Sequence, residues 1–263
     1  MNKLFKRTTY IVAIFTLLFF GGCSDERAEK GTENQNFEIG EITKVPDFQT
    51  IKDTKKKKKA FFDFMRPIVQ SENRKVARSR ERLLNISALI DNGESLSKSD
   101  REWLAMIADK YRINMPTIDD EEAWKLLKLR VDTVPFRLAL AQSANESSWG
   151  TSRFVKQGLN FFGEWCFTKD CGIVPLKRTK GLTHEVSTFK SVNESVASYI
   201  RNLNRVEMYK PLRVLRLEMR NNKKPLTAHK LAAGLVGYSE RKQAYVDEIR
   251  VMIKHNYDLM GSL

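Results

Sequence analysis

Cysteine and histidine are scarce in this 263-residue chain, which has three of each. The histidines lack the spacing of metal ligands, so little room is left for a zinc site built from protein side chains alone. Long apolar runs are missing as well, which excludes a protein that crosses a membrane several times. The Gly-x-Ser-x-Gly pattern and other signatures of serine or cysteine nucleophiles are also absent. We therefore expect neither a metal ion nor another cofactor.

Acidic residues are outnumbered by basic ones. The chain has 46 Lys and Arg against 32 Asp and Glu, which gives a formal net charge of +14. The excess lies in residues 55–263, where 39 bases and 24 acids give +15, whereas residues 24–54 hold eight acids and four bases. Such a charge indicates an anionic partner, which can be nucleic acid, lipid or cell wall.

The first 23 residues have the parts of an export signal. Three basic residues within positions 3–7 precede an apolar run at 10–20. Eleven residues of helix span about 16 Å, roughly half a bilayer core, so the run is a signal segment and not a stable span. Two glycines then precede Cys23, an arrangement that resembles a bacterial lipobox, in which the cysteine becomes the lipidated first residue. The alternative is an ordinary secretory signal with an incidental cysteine.

These features predict how the N-terminal part is organised. We expect residues 1–22 to be a lipoprotein signal peptide and residues 23–54, which are polar, to be a flexible tether. Ser24 after the cysteine favours the outer membrane, so we expect a lipid-anchored protein of the cell envelope that faces the periplasm. Export argues against nucleic acid as the anionic partner.

Residues 55–131 predict an all-helical N-terminal portion. It begins with five lysines, which we interpret as a solvated helix start rather than a lipid-binding patch. An apolar face follows, with Pro67 expected to limit or kink the helix. Further along, Ser99 and Glu102 have the spacing of a capping box at the start of another helix.

Residues 132–263 predict helices around a small β excursion. A mostly apolar helix ends at Glu146, and a stretch rich in glycine and aromatic residues follows, with a β-prone run at 185–189. Further helices continue to the C-terminus. The fold class is therefore mainly α (α+β), with a small β hairpin or meander.

Glu146 is the candidate for chemistry because it ends a buried helix next to Trp149. Loss of solvent and a nearby helix C-terminus both disfavour the carboxylate, so the pKa of this side chain should be raised, as a general acid requires. The alternative is a carboxylate at a helix end that is exposed to water.

Several ordered motifs lie in and after this helix, namely Ala144 to Ser152, Asn160-Phe161-Phe162-Gly163, Trp165-Cys166-Phe167, Cys171 to Pro175 and Tyr238-Ser239-Glu240-Arg241. Together they resemble the bacterial glucosaminidases of glycoside hydrolase family 73, and the last three are closest to its Bax-type subfamily. The resemblance runs from about residue 45 to 257. It implies a lysozyme-like helical lobe with a small β lobe, and hydrolysis of peptidoglycan glycan strands at N-acetylglucosaminyl β-1,4 bonds.

The resemblance also implies roles for single residues. Glu146 matches the general acid of the family. The residues expected to border the cleft or bind substrate are Trp149, Asn160, Phe161, Phe162, Gly163, Tyr238 and Tyr245.

A second carboxylate is harder to assign. Glycoside hydrolases usually need two, and Glu185, on the predicted strand, is our candidate base for activating water. Glu164 is a second possibility, whereas Glu194 follows Ser191 by three residues and has the spacing of a helix cap. The substrate's own acetamido group can also assist, which would leave no protein nucleophile to find.

Cys166 and Cys171 are separated by a short turn in a chain that we expect to be exported. We therefore predict a disulfide that closes the β excursion, with two packed free thiols as the alternative. The functional expectation is a lipid-anchored glucosaminidase. The alternatives are a muramidase or lytic transglycosylase on the same fold, an amidase, or a wall-binding lipoprotein without catalysis.

Overall fold

The computed structural model describes residues 39–262 without 116, 177, 179 and 180. This part of the chain contains ten α-helices, two short 3-10 helices (Glu207–Tyr209 and Ala232–Leu235) and three short strands. The helices are α1 (Thr54–Asp91), α2 (Lys98–Lys110), α3 (Glu121–Arg130), α4 (Phe136–Glu146), α5 (Arg153–Gly158), α6 (Val192–Arg205), α7 (Lys210–Asn221), α8 (Ala228–Leu231), α9 (Gln243–His255) and α10 (Tyr257–Met260). The strands are β1 (Trp165–Cys166), β2 (Gly172–Ile173) and β3 (Glu185–Ser187). The predicted mainly α fold with a small β lobe is confirmed and is consistent with a lysozyme-like architecture.

The expected signal peptide and the expected lipidation at Cys23 lie outside the described residues. Within the described part, no helix combines the length and the apolar composition that crossing a bilayer requires.

Two hydrophobic cores organise the helices, and α1 contributes to both. Its first half places Phe61, Phe62 and Met65 in the larger core, together with α4, α6 and α9. Its second half places Leu83 in the smaller core, with α2 and α3. The chain passes from the smaller core to the larger between Val131 and Val134, which is where we expected the glucosaminidase domain to begin.

One local expectation about these helices was wrong in part, and another was wrong. Pro67, which we expected to limit or kink the helix, does not end α1, since the helix runs from Thr54 to Asp91 with the proline inside it. Buried apolar side chains on both sides of the proline pack into the larger core, and this packing outweighs a lost hydrogen bond. The cap of α2 is Ser97, whose hydroxyl accepts from Asp100 N at 3.1 Å, and not Ser99.

Part of the segment expected to be a tether is packed on the larger core. Phe48 is only 1% exposed, and its ring lies 5.5 Å from that of Phe61. The backbone of Ile42 donates to Asn193 Oδ1 at 2.9 Å and accepts from Val192 N at 2.8 Å, at the start of α6. Residues 42–51 therefore belong to the folded body.

The three strands form an antiparallel sheet in the order β1-β3-β2. Trp165 pairs with Val186 across β1 and β3, and Gly172 pairs with Ser187 across β2 and β3. Gly172 has to be a glycine because a Cβ there would collide with the backbone of Val186. A disulfide joins Cys166 to Cys171, whose Cα atoms are 6.2 Å apart, and so closes this small lobe.

Candidate active site

Glu146 is the last residue of α4, a helix that runs through the protein interior. Eight of its eleven residues are buried, and the helix packs against α1 and α9. Burial raises the pKa of the Glu146 carboxyl above its ordinary value, although hydrogen bonds from Tyr245 and Asn145 act in the opposite direction. A raised pKa keeps a carboxylic acid protonated closer to neutral pH, which general acid catalysis needs.

The two carboxyl oxygens of Glu146 have different surroundings. Oε1 accepts a hydrogen bond from the Tyr245 hydroxyl at 2.7 Å and another from Asn145 Nδ2 at 3.3 Å. Oε2 lies 3.9 Å from the position that a Cβ on Gly163 would occupy. Since Oε1 already serves as an acceptor, the acidic proton belongs on Oε2, beside Gly163.

A buried chain of hydrogen bonds fixes the direction of the Tyr245 contact. The Tyr199 hydroxyl donates to Gln142 Oε1 at 2.6 Å, and Gln142 Nε2 donates to the Tyr245 hydroxyl at 2.9 Å. Burial and the charge of Glu146 raise the pKa of Tyr245, so its hydroxyl keeps the proton that it donates. The roles of Gln142 and Tyr199 were not expected from the sequence. An amide four residues before Glu146 in an apolar helix was the available signal.

The turn after α4 has an unusual backbone. Ser148, Trp149 and Gly150 have φ angles of 51°, 60° and 75°, a left-handed run that side chains other than glycine rarely adopt. Gly150 N donates to Ser147 Oγ at 2.8 Å, and a Cβ on Gly150 would lie 2.6 Å from the ring of Phe48. Strained backbone of this kind is found at functional sites, where the surrounding packing enforces it.

Trp149 is half-buried against the aromatic residues of α1. Its ring centroid lies 5.6 Å from that of Phe61 and 5.3 Å from that of Phe62. The ammonium group of Lys58 lies over the indole, 5.0 Å from the ring centroid. One part of the indole thus packs inward, while the rest stays open beside the turn that follows Glu146.

The turn at residues 160–163 is held by Asn160. Its Nδ2 donates to the carbonyl oxygens of Glu164 and Ser187 at 3.0 and 2.9 Å, and its Oδ1 accepts from the backbone of Phe162 and Glu164. Asn160, Phe161 and Phe162 are 1%, 0% and 2% exposed. These three side chains therefore position the turn from the interior, in contrast to the substrate contact that we expected. Gly163 is the residue of the turn that faces Glu146.

The C-terminal tyrosines join this turn to Glu146. The Tyr238 hydroxyl donates to the carbonyl oxygen of Phe162 at 3.0 Å. Its ring stacks on Tyr245, with centroids 5.3 Å apart and planes 8° apart. The structure thus brings the expected residues Tyr238, Tyr245, Gly163 and Glu146 together at one place.

Glu164 is a buried carboxyl between the two lobes. Its Oε2 accepts from Ser198 Oγ at 2.8 Å and from Asn202 Nδ2, both on α6, while its Oε1 is buried without a hydrogen-bond partner. Burial raises its pKa to about 7. The side chain faces α6 and not bulk solvent, and β1 begins at the next residue.

Glu185 lies on β3, inside the lobe that the disulfide closes. Its two oxygens accept from Asp170 N at 3.2 Å and from Gly172 N at 2.8 Å, and the residue is 6% exposed. Cys166, Cys171 and Glu185 form a group whose potential metal-ligand atoms lie within 4.8 Å. Sulfur atoms joined in a disulfide are not thiolates, however, so this group does not make a metal site.

Comparison with known proteins identifies the family to which the chain belongs. The sequence pattern of the family described as mannosyl-glycoprotein endo-beta-N-acetylglucosaminidase matches residues 122–258. Protein bax of Escherichia coli (strain K12) is 30% identical over 218 residues, which cover 83% of this chain and 76% of that protein. The chain belongs to the glucosaminidase family. No solved structure matches it.

Membership in this family supports a glycoside hydrolase, and most of the site falls within the matched region. In this glucosaminidase, Glu194 acts as a helix cap: its backbone donates to Ser191 Oγ at 3.2 Å, and its Oε2 accepts from Lys190 N at 2.7 Å. With Glu194 serving as a cap, Glu164 and Glu185 are the candidates that remain for a second carboxylate.

Proposed function

We propose that this glucosaminidase is a lipid-anchored peptidoglycan hydrolase that cleaves N-acetylglucosaminyl β-1,4 bonds with Glu146 as general acid. The observation that carries the proposal is the unlike environment of the two Glu146 oxygens. One is held by the buried Tyr245 hydroxyl, and the other lies beside Gly163, which has no side chain to block it. The family supports a glycosidic bond as the target.

The first step is proton transfer. Oε2 of Glu146 gives its proton to the glycosidic oxygen as the bond between that oxygen and the anomeric carbon breaks, and the leaving sugar departs as an alcohol. Glu146 is then a carboxylate. The hydrogen bond from Tyr245 stabilises that charge, because a hydrogen bond to an ionised group is stronger than a hydrogen bond between two neutral groups.

The second step is attack of water on the anomeric carbon. We propose that Glu185 takes the proton from this water, acting from the β lobe. Two backbone amides fix its carboxylate, and each oxygen keeps a second lone pair for a water molecule. Glu185→Gln then loses most activity. Full activity of that variant would instead favour assistance by the acetamido group of the substrate.

The chemical ends of the released products show which bond is cleaved. The full chain, purified in detergent, is incubated with sacculi, and the released fragments are reduced with borohydride and analysed by mass spectrometry. We expect fragments that end in reduced N-acetylglucosamine. Reduced muramic acid ends, anhydro-muramic ends or free peptides would each refute a glucosaminidase and identify a muramidase, a transglycosylase or an amidase.

The acid assignment is tested by Glu146→Gln. We expect this variant to bind sacculi and to release no fragments, since an amide has the shape of the acid but no proton to give. Glu218→Gln, a change to an exposed acid on α7, is the matched control and should keep full activity. If Glu146→Gln still cleaves sacculi, the general acid is a different group.

We further propose that the anchor is a lipid on Cys23 and that the protein faces the periplasm at the outer membrane. The export signal before Cys23 and the net charge of +15 on residues 55–263 support this location, because the cell wall is anionic. Wild-type protein should sediment with outer membranes and take up a labelled fatty acid. Cys23→Ser should do neither, and label on that variant would place the anchor elsewhere.

A further inference from the structure

Trp165 presents a large aromatic surface on the β lobe. It is the first residue of β1 and is 57% exposed. One face of its indole stacks on the ring of His184, with centroids 4.1 Å apart and planes 15° apart. The sheet holds its backbone opposite Val186, and the disulfide begins at the next residue. The ring is therefore fixed in place while more than half of its surface is open.

The position of Trp165 connects this surface to the candidate active site. Gly163 lies beside Oε2 of Glu146, and Trp165 is two residues further along the chain. Two consecutive Cα–Cα steps of 3.8 Å place the two Cα atoms at most about 7.6 Å apart. The backbone of Trp165 therefore lies close to the turn that borders Glu146.

The chemistry of the surface favours a sugar ring as its occupant. The faces of a pyranose in a β-1,4 chain carry C–H groups, and an aromatic face attracts such weakly positive groups and excludes water from them. A ring that is already held by His184 loses little freedom on binding, which favours affinity. An indole that is flat, fixed and exposed suits the repeated sugar rings of a glycan better than the flexible side chains of a peptide.

We propose that Trp165 is a stacking platform for one sugar ring of the glycan chain, in a subsite next to the position where Glu146 acts. This inference rests on the proposed function, since it takes the substrate to be a chain of N-acetylated sugars. His184 is a positioning residue here: it supports the indole from behind and does not contact the sugar. Trp165 binds the chain and takes no part in breaking the bond.

Binding to a defined oligosaccharide tests the platform without needing turnover. The full chain with Glu146→Gln is titrated with a hexamer of β-1,4-linked N-acetylglucosamine by calorimetry, alone and with Trp165→Ala. We expect Trp165→Ala to weaken binding about tenfold, which corresponds to about 1.4 kcal/mol. Phe167→Ala is the matched control, because Phe167 is on the same lobe and is 73% exposed, and it should leave the affinity unchanged.

Conservative variants separate stacking from a structural effect. Trp165→Tyr keeps an aromatic face and should lose less affinity than Trp165→Ala, and His184→Ala should give a partial loss because the indole is no longer held. In the active enzyme, Trp165→Ala should raise KM for the hexamer and leave kcat within about twofold, as expected for a contact equally strong in ground and transition states.

The possible outcomes distinguish this inference from the proposed function. An unchanged affinity in both Trp165 variants would overturn the platform, even if the enzyme cleaves sacculi as proposed. A fall in kcat at unchanged KM would overturn it too, because Trp165 would then act on the reacting bond. If the wild type binds the hexamer through Trp165 but releases nothing from sacculi, the platform stands and the proposed hydrolysis fails.

Discussion

Replacing Glu164 by glutamine should stabilise the protein at neutral pH and not at acidic pH. The carboxyl of Glu164 is buried against Ser198 and Asn202, and one of its oxygens has no hydrogen-bond partner. Glutamine has the same shape, and its amide oxygen can accept both hydrogen bonds. The substitution therefore removes a buried charge while keeping the contacts of the side chain.

The magnitude follows from the pKa of Glu164, which burial raises from 4.5 to about 7. Below pH 4.5 both the folded and the unfolded chain carry the proton, so the carboxyl does not affect the free energy of unfolding. Between pH 4.5 and 7 the unfolded chain loses its proton first, so the wild type becomes less stable as pH rises. Each pKa unit corresponds to 1.36 kcal/mol, so the full cost approaches about 3 kcal/mol above pH 7.

Urea denaturation followed by circular dichroism measures this cost. The stability of Glu164→Gln relative to the wild type should increase by about 2.5 kcal/mol between pH 5 and pH 8. Glu218→Gln, an exposed substitution, should show a difference that stays constant with pH within a few tenths of a kcal/mol. A difference for Glu164→Gln that is equally constant would show that this carboxyl does not hold its proton in the folded state, and the reasoning would fail.

Three further substitutions test the site. Tyr245→Phe removes a hydrogen bond that lowers the pKa of Glu146, so the alkaline limb of the pH–rate profile should move to higher pH; an unmoved limb would contradict this contact. Gly163→Ala should lower kcat on sacculi, because the new methyl group lies beside Oε2 of Glu146. It should also cost about 1 kcal/mol in stability, because residue 163 has a φ of 65°. A normal kcat would exclude Oε2 as the proton donor. Replacing Cys166 and Cys171 together by serine should lower stability by about 2 kcal/mol and raise KM several-fold, whereas unchanged KM would separate the β lobe from substrate binding.

The sequence predicted those parts of the fold that depend on local pattern. The apolar helix ending at Glu146 appears as α4, and the helix cap expected from the spacing of Ser191 and Glu194 is found at the start of α6. The β-prone run at 185–189 contains β3. In each case hydrophobic spacing and a flanking cap or turn are present within a few residues, so no distant contact is needed to predict the element.

The details of the site depend on contacts between distant residues and could not be read from spacing. Gln142 meets Tyr199 across 57 positions and Tyr245 across 103. Phe162 belongs to a motif that resembles a cleft border, but its ring stacks on Tyr199 in the interior, 3.9 Å between centroids. Packing decides which members of a motif face substrate and which ones support it.

The attachment of residues 42–51 to the larger core sets a length scale for the enzyme. Ile42 is hydrogen-bonded to the start of α6, so only the chain between Cys23 and Ile42 separates the proposed lipid from the folded body. That stretch, drawn out fully at about 3.4 Å per residue, spans at most about 65 Å. With such an anchor, the distance of the active site from the membrane is limited to this length plus the size of the folded body, and glycan strands farther away are out of reach. Lengthening the segment before Ile42 is thus a way to change which layer of the wall is cut.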